Sequence, residues 1–207
     1  MSTVIKPAGP GRPRDDDATT AILSATLRLL AERGYAGTST ADVAAAARAS
    51  KATVYRRWPS KPALVAEAIQ QGLREAHAAP ARTGDVREDL ARVLEAKMRA
   101  FAEGPLGGAI RAVVSHAAHE PELSRAMTAI TQGARDHGPL RPLVEEAKRQ
   151  GLGRASADTG LLLDLLLGAP LFQLLVLQIP PDPASARALV SQVFGPFPED
   201  DQDAAAR

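Results

Sequence analysis

The stretch from Thr38 to Lys61 reads TSTADVAAAARASKATVYRRWPSK and decides the fold. We predict that Thr40 caps a first short helix, because its hydroxyl can accept a backbone N–H of the first turn. Ser50 is expected to cap a second short helix in the same way. This helix should end before Pro59, because proline disfavours helical backbone in the residue that precedes it. Two short helices with a brief break between them are typical of a helix-turn-helix.

The second short helix carries side chains that are suited to DNA. Lys, Thr and Tyr side chains can donate to phosphate oxygens, and Arg forks can read base edges. Val54 is left to face the core. A basic helix on the surface of some other fold would give the same pattern, and the residues alone leave that alternative open. The polar residues of this helix are Lys51, Thr53, Tyr55, Arg56 and Arg57.

The whole stretch resembles the DNA-binding domain of the tetracycline-repressor (TetR) family of bacterial regulators. The matching motif is TxTADVAxAA followed by SKATVYRRWPSK, and the resemblance extends over residues 15–75. The family often has glycine where this chain has Arg48 and Ala52, and an aromatic residue where it has Arg57. The resemblance implies an all-α protein of about nine helices. A three-helix helix-turn-helix DNA-binding domain would precede a helical ligand-binding and dimerisation domain.

By position in the motif, the resemblance also implies two kinds of DNA contact. Arg56 is the expected base reader, and Arg48 and Arg57 are further candidates. The residues expected to position the protein on phosphates are Thr40, Lys51, Thr53, Tyr55 and Lys61.

Charge is unevenly distributed along the 207 residues, although the formal net charge is only +1. Residues 1–61 hold ten Lys or Arg and five Asp or Glu, whereas the remainder holds 15 and 19. A basic first third that precedes an acidic body favours an anionic partner at one end. Arg12 and Arg14 lie on a Pro- and Gly-rich arm and could enter an A·T-rich minor groove. An inert basic tail is the alternative.

Composition also predicts the domain organisation. Residues 1–14 are expected to form a disordered basic arm, and residues 15–80 the helix-turn-helix domain. Residues 81–197 should form the helical effector-binding and dimerisation domain, and residues 198–207 a disordered acidic tail. Asp85-x-x-Glu88 predicts the start of the first helix of the body.

The segment LLLDLLLGAPLFQLLVLQI, residues 161–179, is long and apolar enough to suggest a membrane span. Asp164 and Pro170 argue against a span, since an ionised carboxylate is costly in a bilayer. We expect instead a helix that is covered by the core on one face and by a second subunit on another. It matches, together with the last helix, the dimerising pair of the TetR family; a large monomer core is the alternative. The expected dimer-interface residues are Leu162, Leu166, Leu174, Leu177, Leu189 and Val193.

The body is expected to hold a mainly apolar effector pocket with a few polar anchors. Each candidate is also compatible with plain core packing, because cavities are sparse in packed interiors. The candidates, chosen from helical faces that should converge, are Met98, Phe101, Ile110, His116, Met127 and Phe172.

Motifs of enzymes are missing from the sequence. It has no Gly-rich phosphate loop, no GxSxG, no HExxH and no cysteine. His116 and His119 are three residues apart beside Glu120 and could share a metal, but surface or pocket polarity is the simpler interpretation. We therefore expect no enzyme activity, no metal and no cofactor.

The sequence thus predicts a ligand-responsive transcriptional regulator. The N-terminus lacks the apolar segment of a signal peptide, so a cytoplasmic location is expected. The protein would bind a palindromic operator in double-stranded DNA as a homodimer. The resemblance implies that the protein represses transcription and that a small, mainly apolar effector relieves the repression. A helical protein–protein adaptor without sequence-specific DNA binding is the alternative, and an enzyme on a helical scaffold is the third hypothesis.

Overall fold

A computed structural model describes residues 13–76, 82–153 and 157–195. These residues form ten α-helices and no β-strand, so the all-α prediction is confirmed. The helices are α1 (Pro13–Arg33), α2 (Thr40–Ala46), α3 (Lys51–Arg57), α4 (Lys61–Ala76), α5 (Val86–Glu103), α6 (Pro105–Ala117), α7 (Pro121–His137), α8 (Leu140–Arg149), α9 (Thr159–Phe172) and α10 (Ala186–Phe194). The domain boundary expected near residue 80 and the acidic tail lie outside the described residues.

Several helices begin where the sequence places a cap. Ser50 Oγ accepts the backbone N–H of Thr53 at 3.0 Å, at the start of α3. The Asp85 carboxylate accepts the N–H of Arg87 at 2.8 Å, at the start of α5. These side chains satisfy backbone donors that have no partner within the helix. The helix starts are therefore set by residues next to them in sequence.

Two apolar clusters form the interior. The first joins α1–α4 to α6 and α7, for example through Val54 and Val113. The second joins α5, α8, α9 and α10, for example through Leu94 and Leu163. The N-terminal helices and the body are thus packed around a shared cluster.

Glycine allows close approach where α6 crosses α1. A Cβ added to Gly108 would lie 2.8 Å from the Cβ of Ala31, a distance that packed carbon atoms do not tolerate. The two helices can approach this closely because residue 108 has no side chain. The glycine that weakens α6 as an isolated helix therefore fixes its place in the fold.

Helix α9 differs from the single helix expected over residues 161–179. Pro170 lies inside it and lacks a backbone donor. The chain then widens into a π-helical turn, Gln173–Leu177, and ends at Gln178 with φ of 56°. Within the described residues, Thr159–Leu177 is the one candidate span by length and composition, and 33% of its most apolar window is buried inside the protomer.

The six expected dimer-interface residues differ in how far the protomer buries them. Leu162, Leu166 and Leu174 are buried in the protomer's own clusters, so the protomer itself covers side chains that were predicted to face a second subunit. Their segment is apolar all round, and its periodicity therefore cannot separate the inner face from the outer one. Leu189 and Val193 are half-buried on α10. The exposed apolar residues of this region are Leu161, Leu165, Phe172, Val176, Leu177 and Ile179.

Candidate nucleic-acid interface

Helix α2 begins with a reciprocal cap. Asp42 N–H donates to Ser39 Oγ at 3.1 Å, and Ser39 N–H donates to Asp42 Oδ2 at 3.1 Å. Ser39 is therefore the cap, and the prediction that Thr40 has this role is wrong by one residue. Hydrogen bonds from the side chain and backbone of Ser39 lower the pKa of Asp42.

Thr40 has a different contact, which joins the two short helices. As the first residue of α2, it places its hydroxyl oxygen 2.8 Å from the phenol oxygen of Tyr55 on α3. Tyr55 is 54% exposed, so the pair lies at the surface. One hydrogen bond thus links the start of α2 to the outer face of α3.

The turn between α2 and α3 contains strained backbone. Arg48 adopts φ of 52°, in the left-handed region. This is the position where the resembled family often has glycine, which adopts that region without a Cβ penalty. The Arg48 side chain is exposed beside α3.

The inner face of α3 is anchored to α4. Val54 is fully buried, and Trp58 is buried at the end of the helix. The indole N–H of Trp58 donates to Glu67 Oε2 at 2.7 Å. This anchor leaves the opposite face of α3 in solvent.

The outer face brings together most of the predicted DNA contacts. Lys51 and Arg56 are exposed on α3. Thr53 is half-buried, and its hydroxyl lies 2.9 Å from Ser50 Oγ. We define the DNA-facing surface as Thr40, Arg48, Lys51, Thr53, Tyr55 and Arg56.

Two predicted contacts do not belong to this surface. Arg57 is half-buried, and one of its guanidinium nitrogens is inaccessible. The Lys61 ammonium donates to the carbonyl oxygen of Tyr35 at 2.5 Å and lies 3.8 Å from the centre of the Tyr35 ring. Burial lowers the pKa of Lys61. Arg57 as a base reader and Lys61 as a phosphate contact stay predictions, and both side chains lie beside the DNA-facing surface rather than on it.

The predicted N-terminal arm is described only in part. Helix α1 begins at Pro13, so the backbone of Arg14 lies in the first turn of a helix and not on an arm. Arg12 and the side chain of Arg14 lie outside the described residues.

Tyr35 forms a joint between the N-terminal helices and the body. Its ring stacks on His116 of α6, with centroids 4.7 Å apart. Nearby, Ser60 Oγ donates to Glu122 Oε1 of α7 at 2.6 Å. Burial and the carboxylate of Glu120 raise the pKa of Tyr35. His116, predicted in the effector pocket, belongs to this joint.

The histidine pair does not extend to a metal site. The His116 and His119 ring centroids are 6.2 Å apart, and His116 Nε2 lies 4.0 Å from Glu120 Oε2. In the part of the chain that the structure describes, no group of three or more His, Cys, Asp or Glu side chains could hold a metal ion.

The body contains a second candidate site, a cavity of about 340 Å³ between α4, α5, α6, α7 and α9. Phe101, Ile110 and Met127 line it, as predicted. Met98 is instead buried in the second apolar cluster, and Phe172 is 54% exposed on the outside. Their helices do converge on the cavity, but neither Met98 nor Phe172 is among the residues that line it.

Four polar residues that line the cavity were missed by the sequence reasoning. They are Lys97, Thr131, Arg135 and Asp164. A signal for Lys97 was present, because it lies four residues after Val93 and four before Phe101 on the apolar stripe of α5. A lysine in an apolar stripe indicates a buried charge. Arg135 and Asp164 had no comparable signal, since they come from helices that are distant in sequence.

Comparison with known proteins gives concordant matches. Residues 22–68 match the family model for bacterial regulatory proteins of the tetR family, and residues 80–193 match the tetracyclin repressor-like C-terminal domain. The uncharacterised HTH-type transcriptional regulator Rv1556 of Mycobacterium tuberculosis is 38% identical over 189 residues, which cover 90% of this chain and 89% of the relative.

Solved structures show the same fold. The TetR family transcription regulator SCO0332 is 29% identical with a TM-score of 0.68, and the match covers 88% of this chain and 100% of that chain. AibR, in complex with isovaleryl coenzyme A and operator DNA, is 24% identical with a TM-score of 0.58, and the match covers 87% of this chain and 100% of that chain.

Proposed function

The chain belongs to the TetR family of bacterial transcriptional regulators, and from this membership we propose that it is a repressor that binds a palindromic operator as a homodimer and is released by a small effector. Its helix-turn-helix is a DNA-binding domain, and proteins of the family are regulators and not enzymes. The operator, the sign of regulation and the effector belong to the proposal.

The observation that carries the proposal is the DNA-facing surface on α2 and α3. Its hydroxyl groups and cations lie on one face, opposite the buried Val54 and Trp58. Hydroxyl and ammonium donors hold phosphates, and an exposed arginine fork reads guanine in the major groove. We assign base reading to Arg56 and phosphate contact to Lys51, Tyr55 and Thr40.

The proposed homodimer rests on the exposed apolar residues of α9 and the turn after it. Leu161, Leu165, Phe172 and Val176 recur at steps of four, seven and four residues, so they follow one stripe of the helix. Gly168 lies within the stripe and has open space above its Cα. An apolar stripe with a small residue in it suits close packing against the same stripe of a second copy.

The proposed effector site is the cavity in the body. It shares α6 and α7 with the joint at Tyr35 and His116. An effector that fits a conformation with displaced α6 would bind best to the state in which the DNA-facing surface is poorly positioned for the operator. Because coupling between two binding sites is reciprocal, such an effector must lower the affinity for the operator. AibR, which has this fold, was solved with both an acyl coenzyme A and operator DNA, which supports a ligand-responsive regulator.

DNA reading can be tested by fluorescence anisotropy on fragments that flank the protein's own gene, over a series of salt concentrations. We expect selective binding with a steep negative dependence on salt, because phosphate contacts release counterions. Arg56→Ala should lose about 1–3 kcal/mol of binding free energy and relax specificity at one base. Arg149→Ala, which removes an arginine that is 72% exposed at the end of α8, is the matched control. Equal loss on all sequences would reassign Arg56 to a phosphate.

The homodimer can be tested by analytical ultracentrifugation. Leu165→Asp should convert the wild-type dimer to a monomer and weaken operator binding, since a carboxylate would then be buried in an apolar interface. Ala129→Asp adds the same charge on an exposed position of α7 and should leave the dimer intact. A dimeric Leu165→Asp protein would reject this interface.

A further inference from the structure

The cavity in the body reaches solvent mainly where α7 faces α9. Among the described residues of its lining, the exposed ones are Val114, Thr131, Asp164 and Gly168. Val114 lies on α6, and the other three lie on α7 and α9. A small molecule that enters from solvent therefore passes between these two helices, and we call this opening the mouth of the cavity.

An ion pair spans the mouth. Arg135 on α7 and Asp164 on α9 both line the cavity. Arg135 Nη2 lies 3.3 Å from Asp164 Oδ2, and the two side chains are 41% and 52% exposed. One helical turn away, Thr131 donates its hydroxyl to the carbonyl oxygen of Met127 in its own helix, and Gly168 has open space above its Cα. The mouth is therefore open at one turn and closed by an ion pair at the next.

Gly160 makes room for the guanidinium. A Cβ added to this residue would collide with Arg135 Nη2 and would lie 2.9 Å from Asp158 Oδ1. The Arg135 side chain therefore lies directly against the backbone of α9 in its first turn, which is possible because residue 160 has no side chain. The start of α9 thus accommodates an arginine that crosses over from α7.

This ion pair is weak enough to open. Two charges that are about half exposed gain little free energy from pairing, because water and salt screen them. The pair can therefore break and re-form through side-chain rotation while both helices stay folded. A fully buried pair would be far more costly to break and would hold the mouth shut.

We propose that Arg135 and Asp164 form a gate that controls the passage of small apolar molecules into and out of the cavity. The proposal rests on the proposed effector site and adds a control on access to it. With the pair formed, the guanidinium bridges α7 and α9 at the mouth. With the pair broken, both side chains turn to solvent and the mouth widens. The gate sets the rates of binding and release and leaves the affinity unchanged, because the same pair closes the empty and the occupied cavity.

The test is stopped-flow fluorescence with 1-naphthylamine, a neutral two-ring probe. The cavity of about 340 Å³ has room for roughly eleven groups of the size of a water molecule, at about 30 Å³ each, which suits this probe. Arg135→Gln and Asp164→Asn should each raise the association and dissociation rate constants about two- to fivefold, the range that the loss of an exposed ion pair allows. The equilibrium dissociation constant should not change. The double variant should be no faster than either single variant, since all three lack the same pair.

Salt and a steric variant test the pair without removing a charge. High salt should speed up the wild-type protein and leave the double variant unchanged. Gly160→Ala keeps both charges but displaces the guanidinium, so it should behave like Arg135→Gln. Two controls should keep wild-type rates. Gly133→Ala adds a methyl to α7 in open space, and Arg99→Gln removes a similarly exposed ion pair with Glu95 on α5.

Several results would overturn the gate. These are unchanged rates in Arg135→Gln and Asp164→Asn, equal acceleration in Arg99→Gln, and a changed dissociation constant, which would place the pair in contact with the bound probe. Absence of probe binding would also overturn it. So would undiminished binding in Ala134→Phe, whose ring should fill the cavity that Ala134 lines. Thermal melting of each variant confirms that it is folded.

The same samples separate this proposal from the proposed function. Operator binding measured by anisotropy without the probe tests the DNA-binding regulator alone. Selective DNA binding in a protein whose rates ignore the ion pair would remove only the gate. Gated binding of the probe in a protein that binds no DNA selectively would remove the regulator and keep the gate.

Discussion

The DNA-facing surface and the cavity are stabilised by contacts of different range. Ser39 bonds to Asp42 and Ser50 to Thr53, both three residues apart, and the longest link in the surface joins Thr40 to Tyr55. The cavity is lined by residues from Ile69 to Leu175 on five helices and the turn after α9. Local contacts can be inferred from spacing, whereas the cavity depends on how helices cross. The following predictions test how far this distinction holds.

The largest effect is expected at Trp58, because its contact with α4 holds α3 and hence the DNA-facing surface in place. Trp58→Ala should lower the free energy of unfolding by about 3–5 kcal/mol, because it empties a buried site and leaves Glu67 without its indole donor. Chemical denaturation measures the loss. Trp58→Phe keeps a ring and should lose roughly 1–3 kcal/mol. A small effect of the alanine variant would mean that α3 needs no anchor on α4.

The second largest effect is expected at Lys97, whose buried ammonium should lower the stability of the fold. Its pKa is about 8 in the fold against an ordinary 10.5, so the unfolded chain binds more protons between these values. The free energy of unfolding should therefore rise with pH across this window. Lys97→Met should be more stable than wild type at pH 7, by an amount on the order of 3 kcal/mol, and the difference should shrink toward pH 10. A pH-independent difference would contradict the buried ammonium.

A smaller effect is expected from the cap of α3. Ser50→Ala removes the acceptor for the Thr53 N–H and should lower the free energy of unfolding by about 1 kcal/mol. Ser124→Ala, at an exposed position within α7, should change stability little. If both variants behave alike in urea denaturation, the cap does not stabilise α3.

The smallest effect is expected at the turn between α2 and α3, where glycine should raise the free energy of unfolding at residue 48 and lower it at residue 45. Arg48→Gly relieves a left-handed residue and should raise the free energy of unfolding by about 0.5–1 kcal/mol. Ala45→Gly, in the helical backbone of α2, should lower it by about 1 kcal/mol. Operator affinity should fall in Arg48→Gly if the side chain meets DNA. Destabilisation by both would show that Arg48 makes contacts that outweigh its strain.

The sequence was informative where a signal and its partner are close along the chain. The caps Ser50 and Asp85 and the stop at Trp58-Pro59 follow from backbone chemistry alone, and the structure has them. The helix-turn-helix and its outer face could be predicted for this reason. The error at Thr40 is one residue, since Ser39 and Thr40 are both good caps.

The sequence was uninformative where the answer depends on which face of a helix is covered. Helix α9 has leucine on all sides, so nothing distinguishes the buried Leu166 from the exposed Leu165. His116 reaches Tyr35 because α1 and α6 cross closely at Gly108. The residues next to His116 in the sequence do not indicate that crossing. Three of the six residues predicted for the effector pocket, Phe101, Ile110 and Met127, therefore line the cavity, and their role in binding an effector stays a prediction.

The first apolar cluster has a consequence for how the protein melts. It contains both Val54 from the DNA-binding helices and Leu123 from the body, as members of one cluster of buried apolar residues. A shared interior couples the unfolding of both parts, so heat should abolish operator binding and effector binding in one cooperative calorimetric transition. The DNA-binding helices are thus part of the same thermodynamic unit as the helical body and should not melt as a separate domain.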